Sequence, residues 1–136
     1  MNYQRSTRYA LYAALEMART GGERPVTAAE VAERYGLPPA ALAKVIQRLV
    51  RAGLAAGTRG VSGGYRLTRR PEQITVLEVV EVFESPRQPG DCLLNQCQDE
   101  CRHFPDCRLR HLFDEVDEQA RATFASVTLA TLLSPR

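Results

Sequence analysis

Apolar residues recur at helical spacing in several stretches of the chain, and glycines and prolines separate them. Residues 8–19 (Arg-Tyr-Ala-Leu-Tyr-Ala-Ala-Leu-Glu-Met-Ala-Arg) are strong helix formers and apolar nearly all round. A helix with so little polar face is buried on more than one side, and a second subunit is one source of the extra cover. Gly21-Gly22 ends it. Thr27-Ala28-Ala29-Glu30 reads as a capping box in which threonine and glutamate satisfy each other's backbone donors. The helix it opens runs to about Tyr35 and stops at Gly36. Pro39 suits the first position of the next helix, which runs to about Ala52 and stops at Gly53. There Leu42, Val45, Ile46, Leu49 and Val50 form one apolar stripe. Lys44, Arg48 and Arg51 line up on another face, with Gln47 beside them.

Past Gly53 the period changes. Leu54–Arg59 and Tyr65–Thr68 are strand-like, and Gly60-Val61-Ser62-Gly63-Gly64 between them reads as the tip of a hairpin. Thr75–Phe83 is predicted as a helix capped by Thr75 with Glu78 three residues on, although its β-branched content leaves a strand open. Ser85-Pro86-Arg87-Gln88-Pro89-Gly90 breaks it. From Pro105 or Cys107 a helix is expected to run to about Leu133, with Leu109, Leu112, Phe113, Val116, Ala120, Phe124, Val127 and Thr131 in period. At about 25 residues it would be about 38 Å long, more than a small domain needs to cover its own core. A dimerisation helix is therefore expected, with an intramolecular core helix as the alternative. The fold class that follows is mainly α: a winged helix-turn-helix domain with a small β-hairpin wing, plus a long C-terminal dimerisation helix. Its divisions are a DNA-binding domain at 1–84, with its first helix against the dimer interface, a cysteine-rich loop at 85–107 and the dimerisation helix at 108–136.

Charge sharpens this picture. The chain has 136 residues and a net charge of only +2. Residues 1–70, however, hold twelve Lys/Arg against four Glu, and residues 71–136 hold six Arg against twelve acids. One half thus suits a polyanion and the other does not. Two short helices joined by a glycine turn, the second with a basic face, form a helix-turn-helix whose second helix fits the major groove. A solvated surface helix is the alternative for those three cations alone. The hairpin decides for DNA, because Arg59, Arg66, Arg69 and Arg70 surround a glycine-rich tip suited to phosphates or a minor groove. No apolar stretch approaches a membrane span and no signal-peptide pattern opens the chain, so a cytoplasmic location is expected.

The cysteines carry the remaining chemistry. Cys92, Cys97, Cys101 and Cys107 lie within 16 residues, with His103 and His111 nearby. Without export signals they are not expected to form structural disulfides, and thiolates gathered on one loop suit a soft metal. The spacings C-x4-C, C-x3-C and C-x5-C are not the paired C-x2-C knuckles of structural zinc. An iron–sulfur cluster leads, with zinc and a metal-free thiol switch behind it. No nucleophile, acid–base pair, P-loop or dinucleotide motif is present, so no catalytic residue and no enzyme are expected. A small iron–sulfur electron carrier or an interaction adaptor is the competing class, against which the basic half argues.

Arg8-Tyr9-Ala10, Arg51-Ala52-Gly53-Leu54 and above all Arg59-Gly60-Val61-Ser62-Gly63-Gly64-Tyr65 resemble the Rrf-two family of bacterial winged-helix transcription regulators, which includes the IscR- and NsrR-like iron–sulfur sensors. The resemblance covers essentially the whole chain. It implies a homodimer on palindromic operator DNA, usually a repressor, whose cysteine loop holds a two-iron or four-iron cluster. Cluster state, set by iron supply, oxidants or nitric oxide, would then control DNA affinity. Together with the residue pattern it makes Arg8, Ala40, Ala41, Lys44, Gln47, Arg48, Arg51, Arg59, Gly63, Gly64 and Tyr65 the expected DNA-binding set. It makes Cys92, Cys101 and Cys107 expected metal ligands, with five residues between the last two, and the residue pattern adds Cys97 to the set. Three departures stand out. Arg110 occupies the position of an IscR-like histidine, with His111 one later; Arg8 occupies that of an NsrR-like acid; and Cys97 is extra. The simplest reconciliation brings Cys97 into an all-cysteine site, the alternatives being ligation by His111 or a spare redox thiol at Cys97.

Overall fold

The structure is a computed structural model that describes residues 3–85 and 106–135. In chain order it contains α1 (Arg5–Arg19), α2 (Ala28–Tyr35), α3 (Pro39–Arg51), β1 (Ala55–Thr58), β2 (Gly64–Leu67), a 3-10 turn at Pro71–Gln73, α4 (Val76–Phe83), α5 (Arg108–Ser126) and α6 (Leu129–Leu133). Among the described residues no helix is long and apolar enough to cross a membrane.

Much of the apolar surface of α1 is buried within the chain. Ala10, Ala13, Ala14, Met17 and Ala18 are buried, and the helix packs against α3, α4, α6, α2 and β2. Its cover on these sides is intramolecular, while Tyr12 stays 42% exposed on the remaining face. Small alanines let the surrounding helices approach closely, and Leu42, Ile46, Leu49, Ile74, Val31 and Leu129 complete the core.

Caps set the helix-turn-helix. Thr27 Oγ1 accepts from the Glu30 N–H at 3.1 Å, but the Glu30 carboxylate turns away to Arg24 at 2.7 Å. Only half of the expected box forms, because a cation competes with the backbone for the carboxylate. Gly36 adopts the left-handed conformation (φ 64°) that ends α2, and Pro39 opens α3.

The hairpin pairs Ala55 with Leu67, Ala56 with Arg66, Gly57 with Tyr65 and Thr58 with Gly64. Sequence reasoning missed a third partner: Val26 exchanges two backbone hydrogen bonds with Tyr65, at 2.9 and 2.8 Å, which stitches the hairpin to the entry of α2. A Cβ on Gly64 would lie 2.8 Å from the Val26 carbonyl oxygen, so the residue must be glycine for this pairing to close.

At Thr75 the predicted box forms in full. Thr75 Oγ1 accepts from Glu78 N–H, and the Glu78 carboxylate accepts from Thr75 N–H at 2.9 Å. The segment is a helix.

The C-terminal helix is shorter than expected. It ends at Ser126, and Val127 is extended (φ −109°, ψ 123°). The Val127 carbonyl accepts from Val76 N–H at 2.8 Å, and Leu129 N–H donates to the Ile74 carbonyl at 3.0 Å. Thr128 then caps α6, and Leu129 is fully buried. Backbone partners at Ile74 and Val76 and a core slot for Leu129 outcompete continued helix. The 19 residues of α5 span about 28 Å rather than the expected 38 Å.

Candidate nucleic-acid interface

Leu42, Val45, Ile46 and Leu49 bury one face of α3 and thereby turn Ala40, Lys44, Gln47 and Arg51 outward as a ridge. Arg48 is exposed at one edge of this ridge, above a half-buried Ala41. Two of the polar side chains are already held. Gln47 Nε2 donates to the Tyr65 hydroxyl at 2.8 Å, tying the ridge to the wing. Arg48 Nη2 donates to the Val82 carbonyl at 2.6 Å, and its guanidinium lies 4.3 Å from the Phe83 ring centroid. Lys44 and Arg51 form no ion pair among the described residues, and neither do Arg5, Arg8 and Arg59.

Two shallow grooves flank the ridge. One, of about 350 Å³, lies between α3, the first turns of α1 and the end of α4, and is lined by Arg5, Ser6, Tyr9, Lys44, Arg48 and Phe83 among others. The other, of about 290 Å³, lies between α3 and the wing and includes Gln47, Val50, Arg59 and Tyr65. Neither contains an acidic side chain.

The wing carries Arg59 and a fully exposed Val61 at its tip. Gly63 sits where a Cβ would meet the Thr58 and Gly60 carbonyl oxygens at 2.6 and 2.8 Å. The closeness demanded of Gly63 and Gly64 is thus toward the protein's own backbone. Of the four arginines expected to surround the wing for DNA, two are committed to the fold. Arg66 donates to the Gly22 carbonyl, and Arg69 binds the Glu78 carboxylate and the Gln73 carbonyl. Burial pushes the Glu78 pKa up, but Arg69 and the Thr75 hydrogen bonds outweigh it and hold the carboxyl below its ordinary value. Arg8 is exposed on α1.

A buried carboxylate missed by sequence reasoning anchors the other side of α1. Glu16 is buried, accepts from the Arg19 guanidinium and from the Tyr35 hydroxyl at 3.2 Å, and pairs ionically with Arg34, whose Nε lies 3.2 Å away. The Arg19 hydrogen bond outweighs burial and lowers its pKa, aided by Arg34 and Tyr35. A lone glutamate inside an apolar helix, with Arg19 one turn on, was the signal available.

Of the expected metal ligands, Cys107 is half-buried at the N-cap of α5, and Cys92, Cys97 and Cys101 lie outside the described residues. Among the described residues no three His, Cys, Asp or Glu side chains gather as a metal site. Arg110 is buried one turn into α5, and His111 is exposed.

Residues 3–135 match the Rrf2 family, described as "Iron-dependent Transcriptional regulator". The chain belongs to the Rrf2 family. It is a transcriptional regulator and not an enzyme. It is 36% identical over 133 residues to a putative HTH-type transcriptional regulator, BadM of Rhodopseudomonas palustris, covering 98% of this chain and 81% of the relative. The solved structure of T. potens IscR superposes with a TM-score of 0.80 at 28% identity, covering 98% of this chain and 86% of that one. CymR, the global cysteine regulator of B. subtilis, superposes with a TM-score of 0.81 at 26% identity, covering 97% and 95%. The mainly helical winged-helix architecture expected from the residue pattern is therefore that of this Rrf2 protein.

Proposed function

We propose that this Rrf2 protein is a homodimeric repressor of palindromic operators, whose DNA affinity is governed by an iron–sulfur cluster on its cysteine loop. The observation that carries the DNA half of this reading is the ridge of α3, which presents Lys44, Gln47 and Arg51 outward between two grooves without acids. A helix of about 10–12 Å diameter fills a major groove about 12 Å wide. Lys44 and Gln47 read base edges, Arg48 joins them at the edge of the ridge, and Ala40 and Ala41 have only methyl groups to set against thymine. Arg8, Arg51 and Arg59 meet phosphates, which supply most of the affinity and make it salt-dependent. Gly63, Gly64 and Tyr65 hold the wing in place beside α3.

The dimer is supported by α5, where Leu109, Leu112, Phe113 and Val116 are exposed at helical spacing. An apolar stripe of this kind is covered by a second helix, and a second copy of α5 is the self-complementary choice. Two recognition helices then sit about one duplex turn, roughly 34 Å, apart.

The donor set of the loop, four thiols within 16 residues, fits an iron–sulfur cluster held by Cys92, Cys97, Cys101 and Cys107. Such a group supplies a redox- and nitric-oxide-sensitive centre. The protein's own contribution is connectivity. Cys107 occupies the N-cap position of α5, and Ser85 lies two residues past the end of α4, whose last turn holds Arg48 of the recognition helix. A few kcal/mol of preference for one arrangement is enough to switch binding.

The test begins with anaerobic purification, iron and acid-labile sulfide assays and a visible spectrum, followed by operator binding with and without oxidant. Matching iron and sulfide, with Cys101→Ala abolishing the oxidant response, supports the reading. Zinc without sulfide, or a response unchanged by Cys101→Ala, overturns its sensing half.

A further inference from the structure

The wing covers only one side of the recognition helix, and the side opposite it is equally cationic. The exposed ridge of α3 runs through Ala40, Lys44, Gln47 and Arg51. Val50 and Gln47 border the groove that ends at Arg59 of the wing. Ala41, Val45 and Arg48 border the opposite groove, which ends at Arg5, Ser6 and Tyr9 in the first two turns of α1.

A helix that fills the major groove meets two sugar–phosphate walls, one along each edge. The wing accounts for one wall. We propose that Arg5, with the hydroxyls of Ser6 and Tyr9, grips the phosphates of the other strand, so that α1 and the wing clasp the duplex from both sides of α3. This inference rests on the DNA-binding reading above.

Three observations carry it. Arg5 is exposed and holds no ion pair among the described residues, whereas Arg19, Arg24, Arg34, Arg69 and Arg121, elsewhere on the protein, are each matched to a carboxylate. Ser6 and Tyr9 flank Arg5 at the same groove, which has no acidic lining residue and shares Lys44 and Arg48 with the recognition helix. The carboxylate near this end of α1, Glu84, is turned inward, where it accepts from Gln4 N–H and from the buried Thr7 hydroxyl, both at 2.6 Å. Those two hydrogen bonds tie the start of α1 to the residue that follows α4.

Operator affinity measured from low to moderate salt tests the clasp, with Arg5→Ala, Arg59→Ala and a control, Arg121→Ala, whose partner is Glu81 on α4. Each phosphate contact contributes about 0.9 to the slope of log affinity against log salt. Arg5→Ala is expected to lower the slope by about 1, to weaken operator and unrelated DNA by the same factor and to melt like the parent. Ser6→Ala with Tyr9→Phe is expected to weaken binding several-fold without changing the slope. A parental slope in Arg5→Ala alongside a reduced slope in Arg59→Ala overturns the clasp and leaves the DNA reading standing. Failure of the parent protein to bind DNA at all overturns both.

Discussion

The guanidinium carbon of Arg48 lies over the Phe83 ring, 4.3 Å from its centroid, while Nη2 donates to the neighbouring Val82 carbonyl. A residue expected to read bases is therefore also the fastening between the recognition helix and the last turn of α4. A guanidinium can lie over the ring and donate a separate N–H to the carbonyl at once, which a compact ammonium does poorly, so lysine is a poor substitute. Arg48→Lys is expected to lose about 1–2 kcal/mol, from the cation–π contact and the hydrogen bond together. In a thermal melt that is a fall of roughly 4–8 °C. Phe83→Leu is expected to move operator affinity in the same direction as Arg48→Lys, which gel-shift titration checks. Unchanged affinity in both would show that the fastening does not set the reader's position.

The wing's geometry depends on Gly64. A Cβ there would press to 2.8 Å on the Val26 carbonyl oxygen and break the Val26–Tyr65 pairing. Gly64→Ala is expected to cost more than about 1 kcal/mol and to weaken operator binding, with the helical circular dichroism retained.

Tyr65 joins wing to reader through Gln47. Tyr65→Phe removes one hydrogen bond, worth about 1 kcal/mol, and frees the Gln47 amide. Binding to a panel of operator variants is expected to lose discrimination at the position Gln47 contacts, with other positions unchanged.

Glu16 stabilises the fold in a pH-dependent way. Its folded pKa is lowered, chiefly by Arg19. The contribution is therefore present above the unfolded value of about 4.3 and is lost as pH falls through the folded one. Glu16→Gln is expected to lower stability by roughly 1–2 kcal/mol at neutral pH, toward the low end because Arg19 and Arg34 are half exposed. Urea melts of parent and variant should converge as the pH falls progressively below the unfolded value.

The stripe on α5 predicts its own disruption. Leu112→Asp with Val116→Asp is expected to shift the protein toward monomer in light scattering and to weaken operator binding steeply, with little effect on the fold of α1 to α4.

Much of this was legible because it depends on neighbours in sequence. Thr75 and Glu78 stand three apart, and their capping box forms as the spacing predicts. Gly36, Pro39 and the Leu42–Leu49 stripe likewise place α2 and α3 through local backbone preference and helical period. The charge division between the two halves points to a polyanion from residue order alone.

Tertiary structure decided what depends on distant partners. Arg66 and Arg69 read as wing cations, yet Gly22 and Glu78 claim them, a competition invisible in a linear pattern. Glu30 left its box for Arg24 for the same reason. Val127 and Thr131 keep the helical period through position 133, but the Ile74 and Val76 backbone groups and the slot for Leu129 break the helix at Ser126. Local sequence determined which elements can form and which cations exist. Only packing decided which cations remain available to a ligand, because each donor goes to the nearest acceptor once the chain has folded.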